Sequence, residues 1–316
     1  MKRCLLLVCF LLFGMFVVPN SNAQSVSCSY SAGSGNPESF AFDNSGYVWV
    51  SFYGGNYVAK IQASATTCTL SAVVAVGSGP RGVAFDGTNI WVANQNSNNV
   101  TKVNPVTNTT IGTYPVGSKP WGIAYAGGYI YVSNSTSNNI SVLVPATGAL
   151  FETIPVGTTP HQVVAVGSNV WVANNGSNNV MLVSASLGEV TTTTNTGTEP
   201  NWLTFDGTNL WVSCWTTQEI TKISSSGSSY GTVLANISVS GHGGPEGLAF
   251  DLADDLVWGV TWNGTLFSIA ASTDTLNYYT VSGLSGKNLW NIAIDNNHQY
   301  LWVSAVNANI VLKVSP

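Results

Sequence analysis

The amino-acid sequence predicts an all-β protein built as a seven-bladed β-propeller, and three observations lead to this prediction. The chain repeats with a period near forty residues, most plainly in three consecutive units that begin at Pro80, Pro120 and Pro160. Each unit holds four short runs of β-branched and aromatic residues separated by Gly, Asn, Ser and Thr, which is typical of strands and turns. No stretch of these units sustains the 3.6-residue apolar period of a helix. Four-stranded units of this length, repeated along a chain, indicate antiparallel blades arranged around an axis.

The number of blades follows from the remaining units. Further units begin at Pro37, Pro200 and Pro245, and a looser one begins near Leu289. Together with the three clear copies they make seven, and they use the chain to its last residue, Pro316. We therefore expect residues 24–316 to form a single propeller domain.

The second unit shows how each element of a blade is predicted. Its strands are expected at 82–85, 90–93, 100–103 and 110–116, where apolar and β-branched residues concentrate. The Asp-Gly pair at 86–87 supplies the positive backbone φ that a tight hairpin turn needs.

The two ends of the chain are predicted to complete each other. The last unit stops after its third strand, and residues 25–35 resemble the end of a fourth strand in other units. The N-terminal strand should therefore complete the last blade, which removes an open sheet edge and needs no covalent bond. The alternative fold is an open β-solenoid, which requires no complementary ends.

Residues 1–23 have the pattern of a secretory signal peptide. Lys2 and Arg3 precede an apolar run at 5–18, and small residues at 21–23 offer a cleavage point. The alternative is an uncleaved membrane anchor, but the run is shorter than the roughly 20 residues that span a bilayer. No later segment is a transmembrane candidate, so we expect a secreted or periplasmic protein.

Charge and cysteine content narrow the class of partner. The chain has 9 Lys plus Arg against 14 Asp plus Glu, so clustered cations for nucleic-acid binding are lacking. Three cysteines follow the leader, and a disulfide between Cys28 and Cys68 is one open possibility in an oxidising compartment. Cys214 lies within a strand pattern and is expected to be a small buried hydrophobe.

Comparing one position across the seven units separates structural from functional candidates. An aromatic residue recurs in every second strand, and we expect these rings to form the core between blades. They are Trp49, Trp91, Tyr131, Trp171, Trp211, Trp258 and Trp302.

The residue after the leading proline instead differs from unit to unit. In chain order these residues are Glu38, Arg81, Trp121, His161, Asn201, Glu246 and, in the last unit, Trp290. They begin the innermost strands, and in a propeller they ring one end of the central channel together with the loops between second and third strands. We call this end the channel mouth.

The remaining tryptophans map to the same end of the predicted ring. Besides the six in second strands, the chain has Trp121, Trp202, Trp215, Trp262 and Trp290, and Tyr53 lies in an equivalent loop. An aromatic concavity with a few convergent polar groups is the usual form of a small-ligand site.

The candidate ligand-binding residues are therefore Tyr53, Arg81, Trp121, Asn201, Trp202, Trp215, Trp262 and Trp290. Arg81 is the single arginine after residue 23 and could hold a carboxylate or a phosphate. The alternative is purely structural, with these side chains filling the channel and Arg81 pairing with a glutamate.

The repeat pattern resembles two families of seven-bladed propellers. The second unit reads PRGVAFDG from Pro80, IWVAN from Ile90, SNNV from Ser97 and YPVG from Tyr114. This pattern resembles the YVTN-type propellers and is more loosely similar to the virginiamycin B lyase propellers. The first resemblance implies the fold, and these families include both binding proteins and lyases, so fold alone does not decide the function.

Two functions follow as hypotheses. The first is a monomeric binding protein that takes a small molecule, glycan or peptide at the channel mouth and needs no cofactor. The second, implied by the lyase resemblance, is a lyase for a small-molecule ester that uses a divalent metal such as Mg, with His161, Glu38 and Glu246 in catalytic roles. The sequence favours binding, because it lacks the nucleophile-elbow, zinc-protease and phosphate-loop motifs.

Overall fold

Seven four-stranded antiparallel sheets form the described part of the protein. The structure is a computed structural model, and it describes residues 24–31, 35–64 and 67–315. The predicted signal peptide at 1–23 lies outside the described residues. In each of the first six blades the strands pair in chain order, as the repeats predict.

The strand bounds follow the repeats closely. Blades 1 and 2 contain β2 (Pro37–Phe42), β3 (Val48–Phe52), β4 (Tyr57–Ala63), β5 (Cys68–Ala75), β6 (Pro80–Phe85), β7 (Ile90–Asn94), β8 (Asn99–Asn104) and β9 (Thr109–Pro115). Blades 3 and 4 contain β10 (Pro120–Ala126), β11 (Tyr129–Asn134), β12 (Asn139–Leu143), β13 (Leu150–Pro155), β14 (Pro160–Val166), β15 (Asn169–Asn174), β16 (Asn179–Ser184) and β17 (Glu189–Asn195). Blades 5 and 6 contain β18 (Pro200–Phe205), β19 (Asn209–Cys214), β20 (Glu219–Ser224), β21 (Val233–Ser238), β22 (Pro245–Asp251), β23 (Leu256–Thr261), β24 (Leu266–Ala270) and β25 (Leu276–Tyr279). Blade 7 contains β26 (Leu289–Ile294), β27 (Leu301–Ala305), β28 (Ile310–Ser315) and β1 (Ser25–Ser31).

Helix is confined to short turns. Within the described ranges the helical segments are the 3₁₀ turns Asn175–Ser177, Gly227–Ser229 and Val306–Ala308. Among the described residues, no helix has the length and apolar character needed to cross a bilayer.

The ring is closed, and the chain ends close it. The first strand of each blade contacts the first strand of the next, and β26 contacts β2. The N-terminal strand β1 pairs antiparallel with β28, from Ser25 opposite Ser315 to Ser31 opposite Ile310. The predicted seven-bladed propeller with a shared last blade is confirmed, and the open solenoid is wrong.

A disulfide adds a covalent bond to this closure. Cys28 in β1 is bonded to Cys68 in β5, with their Cα atoms 5.6 Å apart. These strands are the outermost strands of blades 7 and 1, so the bond crosses the junction between the first and last blades. The disulfide that the sequence left open is therefore present, and it adds to the predicted closure by strand pairing. The third cysteine, Cys214, is free and buried, as predicted.

The recurring aromatic residues form the core between blades. All seven second-strand rings are at most 2% exposed. Trp91, for example, packs with Val100 of its own blade and with Ile123 and Ile130 of blade 3. In three blades the indole also donates to an aspartate in the preceding tight turn, as Trp211 does to Asp206 at 2.7 Å. The turn residues therefore both reverse the chain and pair the indole N–H, which would otherwise be a buried donor without an acceptor.

Four lysines tie neighbouring blades together. Each lies in a third strand opposite the core aromatic, is at most 8% exposed, and donates its ammonium to a carbonyl of the next blade. The pairs are Lys60 with Pro105, Lys102 with Pro145, Lys222 with Ala271 and Lys313 with Ser64, at 2.6–2.8 Å. The last of these contacts joins blade 7 to blade 1, so it supports the ring closure as the disulfide does.

Candidate ligand-binding site

The backbone at the channel mouth is shaped by a bulge that every blade repeats. In each first strand the pairing with the second strand is irregular just after the leading residue, for example between Pro80 and Val83. A bulge takes a residue out of the regular ladder and re-aims its side chain. The bulge therefore explains why the variable residue turns away from the sheet and toward the mouth.

Four second-strand serines hold these bulges, and the sequence interpretation missed them. The backbone N–H of Gly122, for instance, donates to Ser133 Oγ at 2.9 Å, and the same hydroxyl donates to the carbonyl of His161 in the next blade. Equivalent amide contacts are made by Ser51, Ser213 and Ser304. The sequence did contain a sign of them. Two residues after the core aromatic, four blades have serine where blades 2 and 4 have alanine.

One half of the mouth is a layered stack from blades 1 to 4. The Arg81 guanidinium carbon lies 3.8 Å from the centroid of the Trp121 ring and 4.8 Å from that of Tyr53. The His161 ring stacks on Trp121, with centroids 3.9 Å apart and planes within 7°. All four side chains are partly exposed. The stack therefore reaches solvent at the mouth.

The other half is a cluster of tryptophans centred on Trp290. Its ring centroid lies 6.2 Å from those of Trp121 and Trp202 and 6.1 Å from that of Trp262. Trp262 in turn meets Trp215 edge-to-face at 5.8 Å. The five tryptophans outside the blade core, which the repeats placed at one end of the ring, thus form a single connected cluster.

A buried polar chain runs beneath the rings. His161 Nδ1 is 2.7 Å from Asn201 Oδ1, and Asn201 Nδ2 donates to Glu246 Oε2 at 2.5 Å. With Asn201 Nδ2 directed at Glu246, the amide oxygen faces His161, so in this arrangement the ring donates through Nδ1. Burial lowers the pKa of His161 to about 4, which keeps it neutral near pH 7. Burial also raises the pKa of Glu246 well above its usual value.

Buried Glu38 pairs with the partly exposed Arg81 at the centre. Arg81 donates through Nη1 to Glu38 Oε2 at 2.8 Å. Burial raises the pKa of Glu38 to about 7, although the charge and hydrogen bond of Arg81 and a hydrogen bond from Trp290 act in the opposite direction. The glutamate is therefore partly protonated near neutral pH.

This raised pKa gives a pH-dependent stability that Glu38→Gln should remove. Folded Glu38 keeps a proton that the unfolded chain loses between pH 4.5 and about 7, so stability falls as pH rises through that window. From about pH 6 to about pH 8 we expect Glu38 to account for a loss of about 1 kcal/mol. Urea unfolding of the wild type and Glu38→Gln at both pH values measures it. Equal pH slopes in the two proteins would contradict the prediction.

The centre of the mouth is filled by its own side chains. The void between Glu38, Arg81, Trp121, Trp202 and Trp290 has a volume of about 10 Å³, which is room for about one water molecule. Trp202 and Asn201 are 5% and 6% exposed and support the rings from beneath. Of the predicted ligand-binding residues, the partly exposed ones are Tyr53, Arg81, Trp121, Trp215, Trp262 and Trp290. A ligand would therefore lie on these rings rather than within the channel.

Larger clefts lie at the opposite end of the ring. One of about 410 Å³ between blades 1 and 2 is lined by Lys60, Phe85 and Val106, and one of about 220 Å³ between blades 7 and 1 contains Lys313. Each surrounds a lysine that ties two blades. These clefts therefore follow from blade packing and hold none of the residues that vary from blade to blade at the mouth.

The three residues for which the lyase resemblance implies catalytic roles are all engaged with protein partners. Glu38 is paired with Arg81, Glu246 accepts from Asn201, and the His161 ring is held between Trp121 and Asn201. Throughout the described ranges, no three His, Cys, Asp or Glu side chains are grouped so that they could hold a metal.

Comparisons with known proteins support the fold. The structure is similar to a chain of the hydrazine synthase of Kuenenia stuttgartiensis (TM-score 0.77, 18% identity, covering 91% of this chain and 97% of that one). It is also similar to a streptogramin B lyase (TM-score 0.75, 16% identity, 91% and 97%) and to virginiamycin B lyase from Staphylococcus aureus (TM-score 0.78, 15% identity, 91% and 98%). No protein-family model and no curated protein sequence matches the chain. At these identities the similarity extends to the propeller fold alone, and the YVTN-type pattern stays a resemblance.

Proposed function

We propose that this protein is a secreted or periplasmic, monomeric binding protein that holds a glycan on the aromatic surface of the channel mouth. The observation that carries the proposal is the cluster around Trp290. Tryptophans that serve no blade core come from blades 3, 5, 6 and 7 and meet at one end of the ring. Four of these five rings are partly exposed at the mouth, which filling the channel alone would not require.

The surroundings of the rings favour a sugar. Flat, partly exposed indoles offer stacking surfaces for the apolar faces of a pyranose ring. The loops around them expose mainly neutral hydroxyl and amide groups, which can exchange hydrogen bonds with sugar hydroxyls. These exposed loop residues include Asn96, Ser97, Ser118, Thr136, Thr158 and Thr216.

Replacing Trp290 by alanine tests this proposal. The variant should bind oligosaccharides at least about tenfold more weakly, a loss of about 1.4 kcal/mol, because the ring links both halves of the mouth. Tryptophan fluorescence and calorimetry, with a panel of soluble oligosaccharides, measure it for Trp290→Ala and Trp121→Ala.

The matched control is Phe151→Ala. Phe151 is an aromatic residue 61% exposed on β13, the outermost strand of blade 3. This variant should bind like the wild type. Unchanged affinity in both tryptophan variants would contradict binding at the mouth.

The lyase alternative has a separate test. The proposal favours binding because His161, Glu38 and Glu246 are already engaged with protein partners. Metal analysis of the purified protein should find no stoichiometric divalent ion. A bound ion that is lost in Glu38→Gln would instead favour the lyase.

A further inference from the structure

We infer that the ligand carries a carboxylate and that Arg81 binds it along the edge of its guanidinium group. This inference rests on the proposed function, because it concerns the same mouth. It identifies the ligand as an acidic sugar, such as a uronate, rather than a neutral one.

The first support is an unpaired donor. Arg81 donates a hydrogen bond through Nη1 to Glu38, whereas its Nε is buried and has no hydrogen-bond partner. A buried N–H without an acceptor is destabilising, so such a group implies a water or ligand that completes it. The void of about 10 Å³ that Arg81 lines has room for one oxygen atom.

The second support is the shape of the approach. The centroids of the Tyr53 and Trp121 rings lie 4.8 Å and 3.8 Å from the guanidinium carbon, so an incoming group meets the guanidinium in a confined space. A carboxylate is small and planar, and it can place one oxygen in the void, where that oxygen accepts from Nε–H. A phosphate also pairs with arginine, but its tetrahedral group is larger. The confined space therefore favours the carboxylate of the two anions that the sequence left open.

The third support is the charge at the centre. Arg81 is permanently positive, whereas the acidic groups beside it, Glu38 and Glu246, have raised pKa values, and His161 is neutral. Near pH 7 these acidic groups therefore neutralise the charge of Arg81 only in part. A ligand with a single negative charge can balance the remainder. Anion binding at Arg81 should also favour protonated Glu38, so affinity should rise as the pH falls through about 7.

The experiment uses the side-chain NMR signal of Arg81 in the full-length chain. The chain has two arginines, Arg3 and Arg81. The signal that disappears in Arg81→Lys is therefore assigned to Arg81. The probes are methyl glucuronide and neutral methyl glucoside, with an N-acetylated dipeptide acid and its amide as a second pair. We expect the glucuronide to shift the Arg81 Nε–H signal and to bind at least about tenfold more tightly than the glucoside.

Two variants provide the controls. Arg81→Gln should lose the preference for the glucuronide, so that the ratio of the two affinities falls to about one. Lys119→Gln removes the same charge from an exposed side chain at the same end of the ring, and it should keep the preference.

The outcomes separate this inference from the proposed function. Equal binding of glucuronide and glucoside, or a preference that persists in Arg81→Gln, would contradict carboxylate recognition by Arg81. Neither result would contradict glycan binding at the mouth. Preference for the peptide acid over both sugars would support carboxylate recognition by Arg81 and contradict a sugar as the ligand. Binding of none of the four probes would overturn both.

Discussion

Replacing Trp211 by alanine is expected to lower the free energy of unfolding by about 4 kcal/mol, because a large core side chain is lost and its cavity cannot fully collapse. Trp211 is fully buried and packs with Ile220 of blade 5 and with Leu248 and Phe267 of blade 6. Its removal also leaves Asp206 without the indole donor. Urea unfolding measures the change.

Two further variants make this prediction specific. Trp211→Phe keeps most of the ring and loses the N–H, so it should cost less, about 1–2 kcal/mol. Trp262→Ala removes a partly exposed ring at the mouth and should cost less than Trp211→Ala. Equal losses for Trp211→Ala and Trp262→Ala would contradict the division between core and mouth tryptophans.

Removing the disulfide should have an effect of similar size. The double variant Cys28→Ser with Cys68→Ser is expected to lose about 4 kcal/mol, the chain-entropy effect of opening a loop of this length. The two residues are 40 apart in sequence, and their bond joins the outer strands of the first and last blades. The midpoint of thermal unfolding should fall by about 7 °C.

A reducing agent provides the internal control. It should lower the melting temperature of the wild type toward that of the double variant. It should leave the double variant unchanged, because the remaining Cys214 is free and buried. An unchanged melting temperature in the reduced wild type would show that β1 is held by its pairing with β28 alone.

The internal repeats explain why so much of the mouth was predictable. Seven copies allow one position to be compared within a single chain, and uniform aromatic positions proved to be core. Variable positions such as Arg81, Trp121 and Trp290 proved to be neighbours. Residues far apart in the chain meet because each blade contributes the same structural position to one ring.

Contacts between blades were less accessible from the sequence. Lys102 lies among alternating strand residues, where a lysine ordinarily indicates a solvent-facing side. Its burial depends on the carbonyl of Pro145 in the next blade, about one repeat away. The serines that hold the bulges escaped notice for the same reason, since their partners belong partly to the neighbouring blade.

The sequence by itself determined the strands, the turns, the number of blades, the completion of the last blade by the N-terminal strand and the set of side chains at the mouth. These follow from local patterning and from repetition, which need no knowledge of how blades pack. Tertiary structure alone decided that the disulfide forms, that Arg81 stacks on Trp121 while pairing with Glu38, and that the channel centre is filled. Those features depend on distances and burial between blades, and only radial packing of the closed ring sets them.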